Sequence, residues 1–368
     1  MGRSTPGQLE PIQFNAGLPG ALSPTGDIPL FETIPLSASQ PLRIGVLGAA
    51  KITPTALIRP ARNLPQISIQ AVAARNRERA ERFAARHRLP VIHSSYDALI
   101  QDPEIDALYN PLPNSLHAEW TIRALEAGKH VLCEKPLASN AAEARSMQEA
   151  AERAQRLLME AFHWRYHPLT ERVLETLHGG ELGEVEHIEA AFCVPLLSPR
   201  NIRYRLDLSG GAAMDLGSYT VNMIRTFGDA EPSVRAARAK EANPGIDRWL
   251  QADFDLATGA TARMTVSFFS KDLLRVSCRI RCQKGFISIF NPVLPQLYHR
   301  LTIQTPSGRS TERVPGPSSY EAQLQAFAEA IHSGQPPITD GHEGIQNMKI
   351  LDAVYQKAGL SPRGQDHS

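Results

Sequence analysis

Lys135 is the first residue whose type and setting point to chemistry. It stands in Cys133-Glu134-Lys135-Pro136-Leu137, directly after the strand-like run His130 to Cys133. A lysine ending a parallel strand of an open α/β sheet points into the ligand crevice, where an ammonium can polarise a carbonyl or lower a neighbour's pKa. Taken alone it reads equally as a surface charge beside Glu134. A second segment, Gly48-Ala49-Ala50-Lys51-Ile52-Thr53, lies where a dinucleotide fingerprint belongs, between a strand and a helix. Gly48 permits the tight turn and the helix N-terminus offers N–H groups to a pyrophosphate, while the Ala50 methyl narrows the approach. A plain strand-helix turn accounts for this segment as well. The third is Ala73-Ala74-Arg75-Asn76, at the end of the second strand. An NAD-binding chain normally places an acid there for the ribose hydroxyl. Arg75 could instead pair with a 2′-phosphate and Asn76 add a hydrogen bond. The alternative is a solvated arginine opening an arginine-rich helix.

These residues need elements to position them. Leu42 to Leu47 reads as a strand, and a helix follows through Asn63. Strands at Ile67 to Ala74, Val91-Ile92, Asp106 to Tyr109, His130 to Cys133 and Leu157 to Phe162 alternate with helices at Arg77 to His87, Ser115 to Gly128 and Asn140 to Gln155. This rhythm implies a parallel sheet with right-handed crossovers. After Phe162 the alternation stops. A helix from Pro168 to Leu177 precedes a long strand from Gly183 to Val194. Four more strands are expected at Arg248 to Leu256, Ala260 to Phe269, Leu273 to Arg281 and Gly285 to Phe290, closed by helices at Tyr320 to Ile331 and His342 to Lys357. The fold class is therefore α/β: an N-terminal Rossmann domain over residues 41–162 and a C-terminal α+β domain with a large, mainly antiparallel sheet over 163–368. Residues 1–40, rich in Gly, Pro, Ser and Thr, read as a flexible arm.

Composition excludes several classes. With 368 residues, two domains are the default. The 39 Lys plus Arg nearly cancel the 38 Asp plus Glu, so net charge +1 gives no global field for nucleic acid or an anionic membrane. No apolar run of spanning length is present, and the start lacks the pattern of a signal peptide. The 4 cysteines are too few and too scattered for a disulfide scaffold, and no metal site is expected. A reducing, cytoplasmic setting follows. An outer sheet face carrying Phe268, Phe269, Ile287 and Ile289 would be costly to leave wet, so a homodimer or larger closed oligomer is expected.

In order along the chain, the Gly48 turn, Pro111-Leu112-Pro113-Asn114-Ser115-Leu116-His117-Ala118-Glu119-Trp120, Ala127-Gly128-Lys129-His130-Val131-Leu132-Cys133-Glu134-Lys135-Pro136-Leu137 and Gly210-Gly211-Ala212-Ala213-Met214-Asp215-Leu216-Gly217-Ser218-Tyr219 resemble the Gfo/Idh/MocA oxidoreductases. The resemblance covers nearly everything after residue 40. It implies a Rossmann domain, a second domain whose sheet often serves in subunit association, and hydride transfer beside the lysine matching Lys135. Many members carry an aspartate and, four residues on, a histidine acting as acid or base. Here those positions are Asp215 and Tyr219, as in a subgroup of NADP-preferring xylose dehydrogenases, dihydrodiol dehydrogenases and sugar 3-ketoreductases.

Carried over by position, Gly48, Ala50, Lys51, Ile52, Arg75 and Asn76 should hold the phosphates, Leu112, Pro113, Asn114 and His117 should border the nicotinamide, and Glu134 should meet its ribose. Trp164 and Arg165 match a segment entering the crevice, or else pack between domains. His163 departs from the commoner pattern. The expected function is NADP-dependent hydride transfer at a carbinol carbon of an aldose or related polyol, with Lys135 lowering the Tyr219 pKa so that the phenolate or a relay takes the proton. Asp215 would hold Lys135 or substrate hydroxyls. The alternatives are keto-sugar reduction or trans-dihydrodiol oxidation, a non-catalytic NADP sensor, and redox-assisted glycoside cleavage.

Overall fold

The computed structural model describes residues 30–37, 39–271 and 274–364. Its first sheet comprises β1 (Leu42–Leu47), β2 (Ile67–Ala73), β3 (Val91–His93), β4 (Ala107–Asn110), β5 (His130–Cys133) and β6 (Leu158–Glu160), in the order β3-β2-β1-β4-β5-β6. Every pairing is parallel. Helices cover both faces, which is why β4 and β5 are buried throughout and carry no polar alternation. The strand order reverses between β1 and β4, and that switch point is where such sheets bind ligands.

The helices are α1 (Arg59–Ala61, continuing a π-helical turn Pro54–Ile58), α2 (Arg77–His87), α3 (Tyr96–Ile100), α4 (His117–Glu126), α5 (Ala141–Ala154), α6 (Pro168–His178), α7 (Ser218–Gly228), α8 (Ser319–Ser333) and α9 (Gly341–Lys357). Their starts are set by local chemistry. Asn76, Ser95, Asn140, Ser318 and Asp340 each accept a hydrogen bond from the backbone N–H three residues on, satisfying a donor the helix cannot.

The second sheet has eight strands, in the order β14-β13-β12-β11-β7-β10-β9-β8. These are β7 (Val185–Cys193), β8 (Pro232–Asn243), β9 (Ile246–Leu256), β10 (Thr261–Ser267), β11 (Arg275–Cys282), β12 (Gly285–Phe290), β13 (Arg300–Thr305) and β14 (Gly308–Glu312). Only β7 and β10 pair in parallel. Three strands escape the sequence reading. β8 turns Val234, Ala237 and Ala239 toward the core opposite Phe254, Ala252 and Leu250, so small residues replace the usual apolar stripe. β13 and β14 form an edge hairpin in which β14 is polar throughout.

The register also corrects the expected outer face. Ile289 lies opposite Cys278 and Ile287 opposite Ile280, both pairs within the core, and Phe268 is buried, leaving only Phe269 exposed at 52%. The outward positions are instead ionic: Arg263 pairs with Asp253 at 2.6 Å and Arg275 with Glu189 at 2.7 Å. Cys133, Cys193, Cys278 and Cys282 are all buried. Of the expected N-terminal arm, residues 1–29 and 38 lie outside the described residues. Residues 30–37 pack against α8 of the same chain, with Phe31 buried and Ile34 N–H donating to the Ile331 carbonyl.

The two sheets share one continuous core. α9 joins them: Glu160 N–H, at the end of β6, donates to Thr339 O at 2.8 Å just before that helix, and Ala141 N–H donates to Asp352 within it. Near its end, Arg363 meets Asp247 at 2.9 Å, an ion pair in which the side chains are 1% and 0% exposed. Both close on Gly211, whose φ of +128° and contact with Asp247 leave no room for a side chain. This contact sets the turn from which Asp215 is presented.

Glu160 carries a consequence for stability. It is fully buried, its Oε1 accepts from Leu137 N–H at 2.8 Å, and its Oε2 has no hydrogen-bond partner among the described residues. Burial pushes its carboxyl up to about 8 from 4.5. The folded chain thus keeps this proton up to about pH 8 while the unfolded chain releases it near pH 4.5, so its contribution to stability falls as pH rises through that window. Glu160→Gln should therefore flatten the decline of the thermal midpoint between these limits and raise it at pH 8, as differential scanning calorimetry across pH would read. An unchanged pH dependence would show that Glu160 is ionised in the folded chain.

Candidate active site

The site is built where β5 ends and a turn from the second sheet meets it. Lys135 leaves β5 and its Nζ donates to the backbone carbonyl of Asp215 at 2.9 Å and to Oδ1 at 3.0 Å. Asp215 lies in a π-helical turn, Ala213–Gly217, that runs into α7. Its other oxygen, Oδ2, accepts from Arg203 Nε at 2.5 Å. Burial pushes the Asp215 carboxyl up, but Lys135 and Arg203 together reverse this and hold it well below the usual carboxylate range. An anion is thus held between two cations contributed by different segments.

Tyr219, in the first turn of α7, places its ring 4.6 Å from Lys135 Nζ, with Phe162 and Phe192 edge-on around it. Its hydroxyl lies 3.2 Å from His163 Nε2. The expectation that Lys135 draws Tyr219 toward phenolate is corrected. Burial raises its pKa well above the ordinary value, and Tyr320, Glu134 and Asp215 raise it further. Lys135 is itself paired with Asp215, and with its pKa raised by burial Tyr219 is a phenol that carries its own proton.

The residues expected at the cofactor divide into two groups. Gly48, with φ +86°, ends β1, and a Cβ there would come 3.0 Å from the Leu112 side chain. Ala50 is half-buried, and Lys51 and Ile52 are exposed at the mouth of the following helix. Thr53 behind them is buried, and its Oγ1 has no hydrogen-bond partner among the described residues. Arg75 and Asn76 are exposed at the end of β2. Asn76 Oδ1 is committed to the cap of α2, which leaves its amide group for a ligand. Arg79, missed from sequence, donates to Ala49 O at 2.7 Å and so stands beside Arg75 against the glycine turn. Arg79 lies in the first turn of α2, and the run of arginines that opens this helix is the signal that could have found it. A left-handed turn, an unpartnered buried hydroxyl at a helix start and two arginines without an acid fit a dinucleotide bearing an extra phosphate.

Leu112 and Pro113 border the crevice half-buried, and Asn114 Nδ2 donates to Ser209 O at 3.1 Å, crossing from the first sheet's loops to the second's. His117 is corrected: its buried ring lies 2.9 Å from Pro136 O and 2.8 Å from Leu112 O, bracing the two loops that flank Lys135. Glu134 Oε1 accepts from Tyr109 Oη at 2.5 Å. Trp164 and Arg165 are corrected too. They belong to a 3-10 turn, His163–Tyr166, whose successive side chains point about 120° apart. His163 therefore faces Tyr219, whereas Trp164 packs edge-on against Phe227 and Arg165 reaches Glu343 at 3.2 Å on the far side. Arg203 was not singled out because it lies in the stretch 195–207, whose short turns carry no periodic signal.

Two family models match the chain. Residues 42–162 match an oxidoreductase family with an NAD-binding Rossmann fold, and residues 170–288 match the GFO/IDH/MocA C-terminal domain. The chain is 36% identical over 321 residues to D-xylose 1-dehydrogenase (NADP(+)) 2 of Haloferax volcanii, covering 86% of this chain and 97% of that protein. It is 32% identical over 331 residues to dTDP-3,4-didehydro-2,6-dideoxy-α-D-glucose 3-reductase of Streptomyces violaceoruber, covering 87% and 96%. Among solved structures, a 3-ketoreductase of Actinomadura kijaniata, in complex with NADP and TDP-benzene, superposes with a TM-score of 0.81 at 30% identity, covering 86% of this chain and 98% of that one. No helix among the described residues is long and apolar enough to cross a membrane. With both halves matched in order around one lysine-aspartate-tyrosine centre, the chain belongs to the Gfo/Idh/MocA family of oxidoreductases.

Proposed function

We propose that this protein is an NADP-dependent dehydrogenase of an aldose or related polyol, acting on a carbinol carbon. One observation carries the reading: Lys135 spends two of the three N–H donors of its ammonium on Asp215, and the third remains for an oxygen beside the Tyr219 hydroxyl. Bound NADP supplies the hydride acceptor. Arg75, Asn76 and Arg79 bind the phosphate that distinguishes it, residues 48–53 hold the pyrophosphate, and Leu112, Pro113, Asn114 and Glu134 border the nicotinamide end. Lys135 orients the substrate oxygen and stabilises the charge that develops on it. Tyr219 exchanges a proton with the same oxygen. Asp215, held by Arg203, keeps Lys135 aimed. The division of labour follows the sheets, with 41–162 holding cofactor and 163–368 holding substrate.

A second reading, reduction of a keto sugar, is favoured by the protonated state of Tyr219, since a phenol is the donor that reaction needs. The two are distinguished by following the nicotinamide absorbance with D-xylose and other aldoses and NADP⁺, against keto sugars and NADPH.

We also propose a homodimer formed through the outer face of the eight-stranded sheet, on ionic rows and the half-buried rings of Trp249 and Phe286 rather than on an apolar patch. Light scattering at micromolar concentration checks it, and a monomer removes it.

Arg75→Ala should weaken NADP⁺ binding by roughly tenfold or more while leaving NAD⁺ binding nearly unchanged, because only the former carries the phosphate. Equal losses in a fluorescence titration would take Arg75 out of that role. Tyr219→Phe and Lys135→Met should each lower turnover by about two to four orders of magnitude at near-normal NADP⁺ affinity. Wild-type turnover in either variant would remove that residue from the reaction.

A further inference from the structure

The Tyr219 hydroxyl is the inner end of a chain of hydrogen bonds that the proposed reaction has not yet used. His163 Nε2 lies 3.2 Å from Tyr219 Oη, and His163 Nδ1 lies 2.8 Å from Ser319 Oγ, the first residue of α8. Ser319 Oγ in turn donates to Gln296 Oε1 at 2.9 Å. His163 and Ser319 are buried, whereas Gln296 is only half-buried. The His163 ring is clamped against Tyr320, with centroids 4.0 Å apart. The charged and titratable groups around the pair are Lys135 and Glu134 from the end of β5, Asp215 and Arg203 from the turns before α7, Tyr320 from α8, and His167 at the start of α6.

The direction of each hydrogen follows from counting donors. A serine hydroxyl has one proton, and here it is given to Gln296. Toward His163, Ser319 Oγ can then only accept, so Nδ1 carries the hydrogen. Nε2 is left with a lone pair, and Tyr219 must be the donor to it. The phenol oxygen consequently turns its own lone pairs away from His163, toward the Lys135 side.

Resting on the dehydrogenase reading above, we propose that His163 and Ser319 are positioning residues that hold Tyr219 as a donor outward, so that its oxygen receives the substrate's hydroxyl proton while its own proton passes to His163 Nε2. The bonds balance. As the carbinol C–H bond breaks and its electron pair leaves as hydride for the oxidised nicotinamide, the substrate O–H bond breaks and its proton forms a new bond to Tyr219 Oη. The former phenol proton leaves Oη and forms an N–H bond at Nε2. The imidazolium so formed donates through Nδ1 to Ser319 and through Nε2 to Tyr219, and loses one proton to water after product leaves.

A neutral imidazole suffices as acceptor, because the O–H proton of a protonated carbonyl, formed once its carbon has lost hydride, is far more acidic than an imidazolium. Burial first, and Lys135 second, lower His163 to about 3. It is therefore neutral at every working pH and is reset after each cycle.

Two measurements on the full-length protein test this. In the ¹⁵N-histidine-labelled chain, long-range proton-nitrogen correlation should show His163 protonated at Nδ1 and bare at Nε2, with its signals assigned by their loss in His163→Phe. Ser319→Ala, which removes only the lock on Nδ1, should shift that population toward the other tautomer. A wild-type His163 protonated at Nε2, or one indifferent to Ser319→Ala, overturns the proposal without reference to any substrate. The second measurement is oxidation of D-xylose with NADP⁺ between about pH 6 and 9. Wild type should be nearly flat across that range. In His163→Phe, which keeps a ring against Tyr320, turnover should fall by roughly tenfold to a hundredfold and recover as pH rises and hydroxide replaces the lost acceptor. NADP⁺ affinity should hold. A flat profile at wild-type turnover in that variant leaves His163 as packing and overturns the proposal. Should wild type oxidise no aldose at all, the dehydrogenase reading fails, and the tautomer experiment still decides the hydrogen-bond chain by itself.

Discussion

The contact between Lys135 and Asp215 is the constraint on which the rest of the arrangement depends. It joins the carboxyl end of a parallel strand in one sheet to the turn that opens α7 over the other, and both charges are largely out of water. A buried pair of this kind repays its desolvation only when its remaining donors and acceptors are also used, and breaking one costs about 3–5 kcal/mol because the partner is left bare. Here the backbone carbonyl of Asp215 and the Arg203 guanidinium complete the set. The turn before Asp215 needs a glycine at 211, because Asp247, Tyr355 and Arg363 occupy the space a side chain would need. The last described residues of the chain thus hold the turn that holds the anion that aims the lysine.

From that contact the chemistry of Tyr219 follows. Had Lys135 been bare, its charge would favour the phenolate. Paired with Asp215, it leaves burial to dominate, and the tyrosine keeps its proton. The ring is then useful as one link in a line of hydroxyl and imidazole groups rather than as a standing base. A 3-10 turn delivers that line, because its threefold repeat sends His163 inward and its neighbours Trp164 and Arg165 elsewhere. His117 shows the same economy: a histidine placed beside the crevice by its motif is used to brace the loop bearing Pro136 against the loop bearing Leu112.

The outer face of the second sheet illustrates how strand register decides surface character. Because side chains alternate, a shift of one residue exchanges core for surface. The observed register sends Ile287 and Ile289 inward and leaves rows of paired charges outside. Apolar residues in a strand show that one face is buried without showing which neighbour buries it.

Much was legible before any coordinates. The parallel half could be read because short, largely apolar strands alternate there with helix-length segments; β1, β2, α2 and α5 fall where that rhythm puts them, whereas the short α3 was missed. Lys135 and the Gly48 turn were legible from local chemistry, and Asp215 and Tyr219 through the family resemblance of the motif that carries them. The polar edge strand β14, the alanine-faced β8 and Arg203 were not, since small or polar residues form strands and turns here only because a neighbouring segment covers or pairs them. The protonation of Tyr219, the brace role of His117 and the line through His163, Ser319 and Gln296 were decided by tertiary structure alone. Residues 56 and 156 positions apart are brought within hydrogen-bond distance by packing, and the dielectric and the charge each feels exist only once that packing has formed.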